Sequence, residues 1–143
     1  MTMSFSPQRL KDHEVTQSNL GKENAISKMI VDCAFKIHTS IGAGLLESAY
    51  QECMAKEFKK RNISFKQEHQ MPIYYDGEQL DTPYRVDFLV EDCVIVELKA
   101  VEKLLPIHQA QALTYLKLSG NKLALLINFN VPLIKDGIKR LVI

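Results

Sequence analysis

From Asn24 onward, apolar residues recur at spacings of three and four: Ala25, Ile26, Met29, Ile30, Cys33, Ala34 and Ile37. That pattern predicts a helix with one buried face. "TSIGAG", residues 39 to 44, breaks it with two glycines. A second helix is predicted in "LLESAYQECMAKEFKKRN", with an apolar stripe of Leu46, Ala49, Tyr50, Cys53 and Met54 extending to Phe58. Glu52, Lys56, Lys59 and Lys60 occupy its other face. The period then shifts toward two. Residues 63–75 read as a strand bent near Pro72, followed by a turn at Asp76-Gly77. Two further strands follow over 80–90 and 93–99. A third helix is predicted to start near Pro106 and end at Gly120. "KLALLINF" reads as a buried strand, and the chain closes in a turn and a short strand or helical turn. The order is α, α, β, β, β, α, β plus a tail. Residues 1–22 show no sustained period. They are expected to form a loose arm holding at most one helical turn, before a single domain over 23–143.

"RVDFLVEDCVIVELKA", residues 85 to 100, departs from that simple picture. Asp87 interrupts one apolar strand, and Glu97 and Lys99 interrupt the next. Charged groups in strands this apolar are costly to bury unless paired or bound to a metal. Strand side chains alternate faces. Val86, Phe88 and Val90 should therefore share a face and meet Val94, Val96 and Leu98 across the hairpin. This matching requires an odd-length connection at Glu91-Asp92-Cys93, and it sets Asp87 opposite Glu97 with Lys99 on the same side. A one-residue slip would invert the arrangement. Directly opposed residues have Cβ atoms about 4.5–5.5 Å apart. Two carboxylates at that range repel unless a cation lies between them or one takes a proton. Carboxylate oxygens are the ligands a hard divalent ion such as magnesium requires. The bland alternative is a surface salt bridge of Lys99 with Asp87 or Glu97. ExK in a strand is by itself a weak signal.

Two helices add polar groups where core is expected. Glu47 precedes Tyr50, Met54 and Phe58 by three, seven and eleven residues, which puts it along the apolar stripe of its helix. A first-turn carboxylate is also favoured by the helix dipole, whichever way it faces. On the third helix His108, Gln111 and Tyr115 form a polar stripe at helical spacing. They could be satisfied core groups, or they could line a cleft.

Composition changes the picture only modestly. The 143 residues suffice for one core. The apolar fraction of 46% and charged fraction of 24% are ordinary for a soluble globule. A formal charge of +1 announces no strong basic excess. The three scattered cysteines, Cys33, Cys53 and Cys93, make neither a zinc motif nor a disulfide framework. They suit a reducing, cytoplasmic setting. No signal peptide or membrane span is apparent.

"GLLESAY", residues 44 to 50, resembles the signature of the GxxExxY proteins through Gly44, Glu47 and Tyr50. The hairpin "VDFLVEDCVIVELKA", the segment "HQAQALTYLKLSG" and the tail "LLINFNVPLIKDGIKRLV" are similar to that family too. It belongs to the PD-(D/E)xK nuclease-like superfamily. The resemblance implies a restriction-endonuclease-like αβββαβ core with a mixed four-stranded sheet flanked by helices, here with an extra N-terminal helix. The superfamily motif matches at Asp87, Glu97 and Lys99, with Val86 where the name has proline. Glu47 matches the carboxylate of the first core helix. Gln111 and Tyr115 resemble the QxxxY element of the RecB-like branch. The implied chemistry is magnesium-dependent phosphodiester hydrolysis, with manganese as an alternative ion. Asp87, Glu97, Glu47 and the Leu98 carbonyl would hold the metal. Lys99 would act on the water or phosphate, and Gln111 and Tyr115 would orient substrate or Lys99. DNA is the favoured substrate over RNA.

A binding module without turnover, for nucleic acid or a protein partner, is the competing reading. Small size and weak net charge favour it. A chain this short with no separate DNA-reading domain suits half of a homodimer or a companion to a larger protein. A Schiff-base enzyme centred on Lys99 fits poorly, since it would want an apolar pocket rather than two carboxylates.

Overall fold

The computed structural model describes residues 20–143, and most of the expected N-terminal arm lies outside the described residues. Leu20 is buried, and the first helix begins at the next residue, so the arm's last two positions are helical. The elements are α1 (Gly21–Ile41), α2 (Glu47–Lys60), β1 (Phe65–Met71), β2 (Tyr74–Tyr75), β3 (Glu78–Gln79), β4 (Tyr84–Val90), β5 (Val94–Lys99), α3 (Pro106–Ser119), β6 (Leu123–Asn128), a 3₁₀ turn (Ile134–Gly137) and β7 (Ile138–Val142). One mixed sheet runs β1-β4-β5-β6-β7. Only β5 and β6 are parallel, and α3 forms the crossover between them. The fold is α+β, and the sheet has five strands rather than four. The fifth is β7, where Leu123 pairs with Val142 and Ile127 with Ile138. β2 and β3 form a separate small hairpin around the Asp76-Gly77 turn.

Two apolar clusters sandwich the sheet. α1 and α2 bury Ile30, Cys33, Tyr50, Met54 and Phe58 against Phe88, Val90, Val94, Val96, Leu98, Leu125 and Ile127. On the other side Leu116 of α3 packs with Tyr84, Val86, Leu89, Ile95 and Ala124. The predicted stripes are largely realised, but Leu46 precedes α2 and is 78% exposed, and Met29 is also exposed. Glu57, by contrast, lies buried within α2. Its carboxylate is met by Lys36 at 3.2 Å and by Lys60 and Arg61 at 3.7 Å. Burial on this scale requires such pairing.

The hairpin register is the expected one. Val90 pairs with Val94, Leu89 with Ile95 and Phe88 with Val96, around the three-residue turn Glu91-Asp92-Cys93. Extended by one residue, it sets Asp87 opposite Glu97. Val86 is a correction. It packs with Tyr84, Leu89 and Ile95 rather than with Phe88 and Val90. The regular alternation slips at Asp87, where the β4–β5 ladder ends. On the other flank, Gln67 pairs with Phe88 and His69 with Val86. Between them, opposite Asp87, Glu68 takes φ of 49°, a left-handed conformation costly for a residue with a side chain.

Candidate active site

The end of the β4–β5 ladder creates the opening. Past Phe88 and Val96 no ladder pair continues. The Leu98 N–H that the next ladder bond would have used donates instead to Asp87 Oδ2 at 2.7 Å. Asp87 thereby satisfies a backbone donor and is held in place by it. A strand residue sends its C=O to the same side as its N–H, so the Leu98 carbonyl leaves toward the same opening.

Glu97 lies beside Asp87 and is 7% exposed. Its carboxyl pKa is pushed up to about 9, first by burial, then by the Asp87 charge and by a hydrogen bond to the Asp87 side chain. Lys99 and the Asp87 backbone N–H pull the other way without prevailing. In the absence of a cation the pair is stable as one carboxylate and one carboxylic acid sharing a hydrogen bond. Lys99 is the next residue on this face, and the exit of β5 is clamped behind it. Phe129 N–H donates to the Lys99 carbonyl at 2.9 Å. The buried Asn128 side chain accepts from Val101 N–H at 3.1 Å and donates to Val101 O at 2.9 Å.

Glu47 is delivered from the other layer by the loop before α2. Gly42 and Gly44 take φ of 78° and 110°, a region that side chains rarely adopt. The Tyr50 hydroxyl donates to Gly42 O at 2.6 Å and accepts from Leu45 N–H at 3.2 Å. The Tyr50 ring stacks on Phe129 at 4.4 Å, with the planes 7° apart. The three signature positions thus have separate duties. Gly44 turns the chain, Tyr50 ties the turn to the end of β6, and Glu47 opens the helix between them. The Glu47 side chain is exposed. Its pKa is raised by burial of the carboxyl's surroundings and then by Asp87, and is lowered by Lys99 and His108.

α3 closes the opposite side. Tyr115 stacks on Tyr84 at 4.7 Å. Its hydroxyl pKa is raised by burial, then by Glu97; the Gln111 side chain hydrogen-bonds it and lowers it, and Asp87 raises it. Tyr115 therefore borders the carboxylate pair, and Gln111 reaches the site through Tyr115. Glu47, Asp87, Glu97, Leu98, Lys99, Gln111 and Tyr115 are brought to one end of the sheet. His108 joins them. It belongs to the polar stripe of the sequence, where spacing alone assigns it no role. The left-handed Glu68 opposite Asp87 carried no sequence signal.

The donor set is all oxygen, which suits a hard divalent cation. Among the described residues, no three His, Cys, Asp or Glu side chains are grouped so as to hold an ion by themselves. Magnesium is commonly held by one or two carboxylates together with substrate phosphates rather than by a closed protein cage. A carboxyl pair of buried Glu97 and half-buried Asp87 that otherwise shares a proton fits that mode. No described helix is long and apolar enough to cross a membrane.

No curated protein and no solved structure matches the chain. Residues 24–141, from the start of α1 into the last strand, match the PD-(D/E)XK nuclease superfamily. With that match covering both helical layers and the whole sheet, the chain belongs to the PD-(D/E)XK nuclease superfamily.

Proposed function

We propose that this protein is a divalent-metal-dependent nuclease that hydrolyses phosphodiester bonds, with DNA favoured over RNA, and that it stands in the GxxExxY branch of its superfamily. The observation that carries this reading is the Asp87–Glu97 carboxyl pair at the opened end of the β4–β5 ladder, with Lys99 beside it. Magnesium or manganese would be held by Asp87, Glu97, the Leu98 carbonyl and, with substrate present, Glu47. The bound ion supplies a lowered pKa for water and neutralises phosphate charge. Lys99 holds the attacking water in place or stabilises charge developing on the phosphate oxygens. Tyr115, fixed by Tyr84 and Gln111, lines the α3 side of the site and orients the substrate against Lys99. Glu97 would complete the ligand set as a carboxylate. The intact set of Asp87, Glu97, Lys99, Gln111 and Tyr115 weighs against a non-catalytic module.

Purified protein incubated with single- and double-stranded DNA and RNA, with magnesium, manganese or chelator, tests the proposal. Metal-dependent cleavage of at least one DNA substrate is the expected result. Binding of nucleic acid without cleavage under every metal condition would favour the binding-module reading.

A further inference from the structure

The lysine-bearing face of α2 has no part in the site described above. Lys56, Lys59 and Lys60 stand on it, all exposed. One cleft of about 130 Å³ is lined by Lys56 and Lys60 together with Lys36 and Ser40 of α1. A second, of about 240 Å³, is lined by Lys56, Lys59, Glu52 and Gln67. Lys56 belongs to both, so the two clefts form one continuous surface. Glu57 holds part of it in place. Its buried carboxylate meets Lys36 at 3.2 Å and Lys60 and Arg61 at 3.7 Å, so one negative charge faces three positive ones. Lys56 and Lys59 form no ion pair among the described residues. The opposing exposed carboxylates are Glu52 and, one turn before Lys36, Asp32. Neither reaches these cations at ion-pair distance. The dipole at the end of α2 favours Lys59 and Lys60, and Glu57 accounts for Lys36. Lys56, where the two clefts meet, is explained by neither. In a chain of formal charge +1 this is a local surplus of positive charge.

The same helix links this surface to the carboxylate site. Glu47 opens α2, and Lys56 and Lys60 follow it by nine and thirteen residues. At 1.5 Å per residue that is about 14–20 Å along the helix axis. A duplex running along α2 from the site would cover the span in about four to six base pairs. No aromatic side chain among the described residues lines either cleft. The stacking platform that unpaired bases use is therefore missing here. Lysines on a surface of this kind contact phosphates, which position a duplex without reading its sequence. On the reading given under Proposed function, we infer that this face of α1 and α2 is a docking surface for the phosphate backbone of double-stranded DNA, engaged independently of sequence through Lys36, Lys56, Lys59 and Lys60.

The double variant Lys56→Gln, Lys59→Gln removes two charges and keeps good helix formers. A second double variant, Lys117→Gln, Lys122→Gln, removes the same charge beyond the sheet, at the end of α3 and just before β6. Affinity for a mixed-sequence DNA duplex of about 20 base pairs is measured from about 50 to 200 mM salt, with calcium at fixed concentration in place of magnesium. The matching single strand is measured beside it, as are the thermal midpoint and magnesium affinity. For the α2 variant, the slope of log affinity against log salt should become shallower by about two. Its duplex affinity near 0.1 M salt should fall roughly tenfold or more, with midpoint and magnesium affinity unchanged. The second variant should keep the wild-type slope. An unchanged slope in the α2 variant overturns the inference. So does an equal loss in both variants, which would reflect net charge alone, and so does a larger loss for the single strand than for the duplex. If wild type binds no nucleic acid under any metal condition, this inference and the proposed nuclease function fall together. If wild type cleaves DNA and the α2 variant matches its salt slope, only this inference falls.

Discussion

At the residue scale the decisive group is Glu97. In the metal-free folded protein its carboxyl holds a proton to about pH 9, whereas in the unfolded chain it releases it in the ordinary carboxyl range. Between those limits the folded state binds the extra proton, so this group's contribution to stability is greatest at low pH and is lost as pH rises. Glu97→Gln should therefore be more stable than wild type near about pH 8 without metal, and the gap should close toward about pH 5. Thermal melts in chelator across that range check the sign. Metal affinity runs the opposite way, since binding displaces the proton. Magnesium should bind wild type more tightly as pH rises toward about 9. Asp87→Ala and Lys99→Ala are expected to differ in kind. On the proposed function, losing Asp87 removes a metal ligand and frees the Leu98 N–H, so magnesium binding should weaken and some activity should return at high metal concentration. Losing Lys99 leaves the ligands and removes a repelling charge, so magnesium affinity persists or rises. Calorimetry on the two variants distinguishes these outcomes.

At the element scale the loop before α2 sets where Glu47 stands. Tyr50→Phe keeps the stacking on Phe129 and loses the hydroxyl that grips Gly42 and Leu45. It should cost about 1 kcal/mol of stability and lower activity more than that figure implies, because Glu47 loses its fixed origin. Gly44→Ala meets open space but must adopt φ near 110°, at a cost of about 1–3 kcal/mol. Denaturant melts beside a cleavage assay read both. The hairpin register was legible because two apolar alternations and an odd turn admit a single match. The face of Val86 was not. Its reversal depends on the Asp87 carboxylate replacing a ladder bond to Leu98 and on the left-handed Glu68 of the neighbouring strand β1. Neither is written in local periodicity. β7 was half legible for a related reason. "IKRLV" carries only a weak alternation, and its pairing with β6 is what makes it a strand.

For the molecule as a whole, two helices on one face of the sheet and one on the other bring three chain segments to a single point: residues 44–50, 87–99 and 108–115. Their charged and polar positions could be found in the sequence because each broke an apolar pattern that the core otherwise enforced. Their convergence could not, since it depends on how helices and sheet pack. The depth of Glu97 and the outward place of Glu47 are consequences of that packing. The same holds for Glu57, whose ion pair with Lys36 joins α1 to α2. The central claim is that this convergence cleaves phosphodiester bonds through carboxylate-held metal and Lys99. The rate of DNA cleavage by wild type and Lys99→Ala, both at saturating magnesium, tests it most directly. The account predicts cleavage by wild type that chelator abolishes, and a variant slower by roughly 10²–10³-fold, the typical cost of a lost transition-state contact. Cleavage by Lys99→Ala at the wild-type rate would contradict it, as would the absence of magnesium-dependent cleavage by wild type.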